Sequence, residues 1–118
     1  MNKKQKGFWS EFLARFLLRL KGYVVLEKNY VTGRGTTAGE IDIIAKRGKT
    51  IVFVEVKERK TKENALYAIK PAQQKRIMTA AQNYLAKHKK YQGFDVRFDA
   101  VLVSGFAIEH IQNAWQSF

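Results

Sequence analysis

Apolar residues recur at a helical period from about Phe8 to Lys21. Trp9, Phe12, Leu13, Phe16, Leu17 and Leu20 share one broad face, and Gly22 follows as a stop. The pattern predicts an amphipathic helix that buries this face, with Phe8, Trp9, Phe12 and Phe16 as core aromatics. Leu18 falls on the other face, near Glu11. The period then shortens to two. "YVVLEKNYV" (Tyr23 to Val31) reads as a strand, and "TGRGTTAG" (Thr32 to Gly39) as a loop. Two more strands are predicted, about Glu40 to Lys46 and Thr50 to Arg59, with a turn centred on Arg47-Gly48. After a polar connection, Pro71 suits the first turn of a helix running to about His88, with Ile77, Ala80, Ala81, Tyr84 and Leu85 inward. "FDVRFDAVLV" and "AIEHIQNAW" close the chain as strands around a Ser104-Gly105 turn.

The predicted order is helix, three strands, helix, two strands, which calls for a sheet with helices packed on it. The 118 residues and the absence of a repeat or linker fit one domain spanning 1–118. Nothing near the start reads as a cleavable leader or a membrane span, because Glu11, Arg15 and Arg19 interrupt the apolar run. A cytoplasmic location without stable membrane insertion is the expectation.

The strand Thr50 to Arg59 carries the candidate chemistry. Val52, Val54 and Val56 point one way; Ile51, Phe53, Glu55, Lys57 and Arg59 point the other. With the turn centred on Arg47-Gly48, Asp42 lies opposite Phe53 and Glu40 opposite Glu55. Asp42 and Glu55 then become diagonal neighbours on one face, roughly 7 Å apart at the backbone. Two carboxylates this close repel unless a divalent cation sits between them. The chain has no cysteine and only His88 and His110, so a metal would have to take oxygen ligands, as magnesium, manganese or calcium do. Lys57 adds a positive charge at the same edge. A metal that activates water and an ammonium that stabilises developing charge are what phosphodiester hydrolysis uses. A half-exposed strand with a surface ion pair shows the same alternation.

The charge balance bears on the choice. Lys and Arg number 22 against 10 Asp and Glu, a formal charge of +12, and a domain this basic commonly meets a polyanion. Arg34 in the glycine loop, Arg59 beyond the candidate site, and Lys70, Lys75 and Arg76 around the start of the second helix are candidate phosphate contacts. "KHKK" (Lys87 to Lys90) is a further basic patch. Asp99 fits a structural role, paired with Arg97 or another neighbour.

Asp42 followed after twelve residues by Glu55-Val56-Lys57 resembles the D…ExK core of the PD-(D/E)XK nuclease superfamily. The strings "KGY", "AGEIDIIA", "FVEVKER", "RIMTAAQNYL" and "VRFDAVLV" resemble the YraN-type family of bacterial proteins, itself similar to archaeal Holliday junction resolvases. The resemblance covers the chain from Gly7 onward. It implies an α/β fold, a restriction-endonuclease-like mixed sheet of five strands flanked by helices, and a magnesium- or manganese-dependent endonuclease acting on DNA, including branched or junction DNA. Carried over, Asp42 and Glu55 are metal ligands with the carbonyl of Val56, and Lys57 is the catalytic lysine. Glu11 matches a first-helix glutamate near the metal, although its place off the main apolar stripe fits an exposed helix residue equally well. Glu40 is a supporting carboxylate or a strand-edge charge. Gln73 stands where many relatives carry lysine and orients water or a phosphate, or is an exposed amide of the first turn. Symmetric cutting of a junction needs two sites, hence a homodimer. The rival reading is a nucleic-acid-binding module on a nuclease fold with little or no turnover; a further rival is peripheral membrane attachment through the basic first helix.

Overall fold

A computed structural model describes residues 3–33, 39–58 and 69–115. Helix α1 (Lys3–Leu20) is followed by strands β1 (Val24–Thr32), β2 (Gly39–Arg47) and β3 (Thr50–Glu58). Helix α2 (Pro71–Lys87) and a short 3-10 turn lead to β4 (Asp95–Ser104) and β5 (Ala107–Trp115). The five strands form one sheet in sequence order. Pairing is antiparallel throughout except for β3 and β4, which α2 joins as a parallel crossover. A mixed sheet flanked by two helices is the α/β architecture expected, and it is compatible with a restriction-endonuclease-like fold.

Period-two alternation sends the strands' apolar residues into two separate cores. Ile44, Ile51, Phe53, Phe98, Ala100 and Leu102 pack with Ile77, Ala80, Ala81 and Tyr84 of α2. Ile43, Ala45, Val52, Val54, Val101 and Val103 pack with Ala14 and Leu18 of α1. The inward face read for α2 is therefore the observed one, with Leu85 only partly buried.

Helix α1 departs from its periodicity. The row turned to the sheet is Ser10, Ala14 and Leu18, all buried. Phe8, Phe12, Phe16 and Leu20, read as core, are instead 44–71% exposed. Trp9 is half-buried. The physical reason is close approach: small residues at i and i+4 let the backbone settle onto a floor of valine and alanine, where phenyl rings would hold it off. The end of α1 does follow the sequence. Gly22 takes φ of 91° and the Tyr23 N–H donates to the Leu18 carbonyl at 3.0 Å, a glycine-capped terminus.

The α1-side core holds one charged residue without any exposure, Asp99. Its carboxylate accepts from Arg97 Nε at 2.8 Å, Arg97 Nη2 at 2.8 Å, His110 Nε2 at 2.7 Å and the Asn113 N–H at 2.9 Å. Lys21 Nζ donates to His110 Nδ1 at 2.8 Å, which places the ring proton on Nε2, facing Asp99. Burial alone would raise the Asp99 pKa, but the bonds from His110, Arg97 and Asn113 outweigh it and hold it below the usual range. The structural role and the pairing with Arg97 read from sequence are those observed.

Candidate active site

The β2–β3 turn is Gly48-Lys49, closed by the pair Arg47↔Thr50, one residue later than expected. Gly48 sits at φ of 60°, and a two-residue hairpin loop asks for that left-handed geometry at its first central position. Centring the turn on Arg47-Gly48 would have put arginine there. The shift moves every cross-strand partner by two but keeps the faces. Paired residues run from Arg47↔Thr50 to Ile43↔Val54, so the register brings Asp42 opposite Glu55 rather than Phe53.

Regular pairing of β2 with β3 ends at Ile43, and Asp42 takes over with its side chain. Asp42 Oδ2 accepts the Val56 N–H at 2.8 Å, in place of a backbone carbonyl. The two strands part here, and Ile41 joins the α2-side core although Ile43 faces α1. A pocket of ≈ 160 Å³ occupies the opening, lined by Val31, Gly39, Glu40, Asp42, Glu55, Gln73, Arg76 and Ile77. Gly39 allows α2 to lie this close. A Cβ at that position would meet the Arg76 carbonyl at 2.6 Å and the Ala80 Cβ at 2.9 Å. Gln74 Nε2 donates to the Ile69 carbonyl at 2.9 Å and so fixes the entry into α2.

Glu55 is only 7% exposed. Burial pushes its carboxyl up to about 9, aided by the charge of Asp42 and by a hydrogen bond between the two side chains, against the pull of Lys57. A Glu55 carboxyl raised this far keeps its proton at neutral pH and can donate it in a hydrogen bond to Asp42. Glu11 of α1 is raised too, first by burial and then by Asp42, against Arg15 and a hydrogen bond from Asn29. Asn29 lies in β1 between the pairs Lys28↔Ile43 and Tyr30↔Ile41, hence beside Asp42, and its φ of 52° is a left-handed conformation rare for a strand residue.

The structure therefore gathers Asp42, Glu55, Glu40, Gln73 and Arg76 in one pocket, with Lys57 and Glu11 in electrostatic reach of the pair. Lys70 and Lys75 are exposed at the start of α2 and do not line the pocket. Arg34 and Arg59 lie outside the described residues. Arg15, Asn29 and the close approach at Gly39 were not anticipated. The Glu11–Arg15 spacing of four was readable as a helix-face pair; the turn of Asn29 had no sequence signal.

The chain belongs to the UPF0102 family. The sequence profile of this family, described as an uncharacterised protein family, matches residues 10–103. A UPF0102 protein of Paramagnetospirillum magneticum is 43% identical over 114 residues, covering 96% of this chain and 88% of its own. One of Bradyrhizobium diazoefficiens is 46% identical over 98 residues, 83% of this chain and 71% of its own. One of Methylocella silvestris is 44% identical over 105 residues, 89% and 82%. The matched span of the family profile contains Glu11, Asp42, Glu55, Val56, Lys57 and Gln73.

Hard oxygen donors this close suit a hard divalent cation, which would replace the proton on Glu55. Among the described residues no three His, Cys, Asp or Glu side chains are grouped as a metal site. A cation held by Asp42 and Glu55 would draw its remaining ligands from the Val56 carbonyl, water or a substrate phosphate. No helix among the described residues is long and apolar enough to cross a membrane.

Proposed function

We propose that this protein is a divalent-metal-dependent endonuclease that hydrolyses phosphodiester bonds in DNA, including branched or junction DNA. The observation that carries the reading is the Asp42–Glu55 pair, brought side by side at the point where β2 and β3 part, with Glu55 buried, Asp42 half-buried and both lining one pocket. A structural role gives no account of two adjoining carboxylates, one of them buried, in a chain of charge +12.

Asp42, Glu55 and the Val56 carbonyl would hold magnesium or manganese. The cation supplies a Lewis acid for the phosphate oxygens and lowers the pKa of water. Asp42 is oriented for this by the Val56 N–H. Glu55 must give up its proton on loading, so loading is favoured by rising pH. Lys57 places an ammonium beside Glu55, where it stabilises charge developing on the phosphate. Gln73 and Arg76 line the opposite wall and position the scissile phosphate. Lys70 and Lys75, with the free N–H groups at the start of α2, extend the phosphate contacts outward. Glu11 and Glu40 keep the local potential negative enough to attract the cation.

The absence of a third grouped side-chain ligand among the described residues favours a second reading, a nucleic-acid-binding module with little turnover. One experiment separates the two. Labelled duplex, single-stranded and four-way-junction DNA is incubated with magnesium or manganese, with Asp42→Ala and Lys57→Ala beside the wild type. The expected result is wild-type cleavage that each variant reduces by at least about a hundredfold. Tight, salt-sensitive binding with no cleavage under either metal would sink the endonuclease reading and leave the binding module.

A further inference from the structure

Beside the row that meets the sheet, α1 carries two further rows at helical spacing. Glu11, Arg15 and Arg19 form one, and Phe8, Phe12, Phe16 and Leu20 the other. The rows are neighbours, because Phe12 and Arg15, and Phe16 and Arg19, are three residues apart. The first row begins at the carboxylate site, since Glu11 is in electrostatic reach of Asp42. It then leaves the site along a groove of ≈ 320 Å³ between α1 and the edge strand β1, lined by Arg15, Arg19, Val25, Leu26, Glu27 and Lys28. Arg15 is only 8% exposed yet lines this groove, and its charge acts on Glu11. A guanidinium held this way costs desolvation that an anion in the groove would offset.

The second row is apolar and uncovered. Phe106, at the β4–β5 turn, is 86% exposed and continues it through Trp9, whose ring lies 6.1 Å from Phe106 and 5.9 Å from Phe12. The exposed portions of these side chains amount to roughly 600 Å² of apolar surface, at the upper end for a monomer's largest patch. Positive charge along one edge and phenyl rings along the next is the pairing that single strands use: backbone on the cations, bases on the rings. A second copy of this chain fits less well, since a two-fold contact would bring two basic rows together.

We propose that the α1–β1 face binds a single-stranded stretch of nucleic acid leading away from the carboxylate site, with phosphates on Arg15, Arg19 and Lys28 and unpaired bases on Phe12 and Phe16. This rests on the reading of the site as one that acts on nucleic acid, and it gives that reading a substrate feature: exposed bases next to the cleaved bond.

The test measures binding without metal, so it does not depend on turnover. Anisotropy of a labelled oligonucleotide, single-stranded or as a blunt duplex, is titrated in EDTA at several salt concentrations. The variants are Phe12→Ala/Phe16→Ala, Arg15→Gln/Arg19→Gln, and Lys87→Gln/Lys90→Gln as a charge control. The phenyl pair is expected to weaken single-strand binding at least about fivefold and duplex binding by less than about twofold. The arginine pair lowers the single-strand salt slope by about 1.4, where the control leaves it near wild type. If Arg15→Gln does not fold, Arg19→Gln/Lys28→Gln carries that arm. Single-strand affinity unchanged in the phenyl pair overturns the proposal. So does an equal loss on duplex, or a wild-type dimer that the phenyl pair splits with single-strand affinity kept. A protein that never cleaves but shows the expected pattern would retain this inference and lose the catalytic one.

Discussion

Glu55→Gln should make the metal-free protein more stable as pH rises, although it removes a proposed ligand. The sign follows from the proton count. Glu55 ionises near 4.5 in the unfolded chain and near 9 in the fold, so between those values the native state holds a proton that the unfolded state has lost. Stability is therefore full below the lower value and falls as pH rises towards the upper one. Each unit costs about 1.4 kcal/mol, so at neutral pH the metal-free fold gives up about 3 kcal/mol relative to acid conditions. For a domain of this size that is a fifth to a half of the whole stability. Glutamine keeps the shape and still donates a hydrogen bond to Asp42, but has no proton to lose. Urea unfolding in EDTA from about pH 5 to about pH 9 reads the effect directly. The variant's curve should be flatter by about 1 kcal/mol per unit through this range. Adding magnesium should stabilise the wild type at the alkaline end and leave the variant almost unmoved. Parallel wild-type and variant curves would refute the buried, protonated Glu55 beside Asp42 on which the active-site reading depends.

Two further substitutions probe the frame that positions the site. Gly39→Ala drives a Cβ into the Arg76 carbonyl and Ala80, so α2 must shift; a loss of about 1–3 kcal/mol in urea unfolding is expected, with weaker magnesium binding by calorimetry, and a neutral result would mean that α2 is not held against β2. Asp99→Asn leaves Arg97 and His110 facing a buried amide and should cost about 3–5 kcal/mol by the same unfolding assay, with a change under about 1 kcal/mol counting against the hub.

Where the sequence was legible, a strong local rule was at work. Val52, Val54 and Val56 against Ile51, Phe53 and Glu55 dictated which way β3 faces, and both observed cores follow that division. Pro71 and the spacing of Ile77, Ala81 and Tyr84 did the same for α2. Where it was not, a tertiary term decided. Helix α1 has apolar residues on most of its circumference, so periodicity could not say which face would meet the sheet; closeness of packing chose Ser10, Ala14 and Leu18. The hairpin slipped because one glycine's conformational freedom outweighed a symmetric reading of the turn. The site survived that slip because a shift of two preserves the faces, and it brought Asp42 and Glu55 closer than the expected register did. The contributions of Arg15 and Asn29 come from packing between α1 and β1, which no spacing within either element encodes.

The Asp99 hub has a consequence for how the protein is made. It joins Lys21 and Tyr23, just after α1, to Arg97 on β4 and His110 on β5, so its longest link spans 89 positions of chain. Contacts of such separation pay the full entropy of closing a large loop before they return anything. On the ribosome, α1 and the first hairpin emerge with their inner faces uncovered, and they wait for the last strand before the charged hub can be satisfied. Synthesis of β5 is then the step that commits the chain, and the phenyl row on α1 is exposed to chaperones throughout that interval as well as after it.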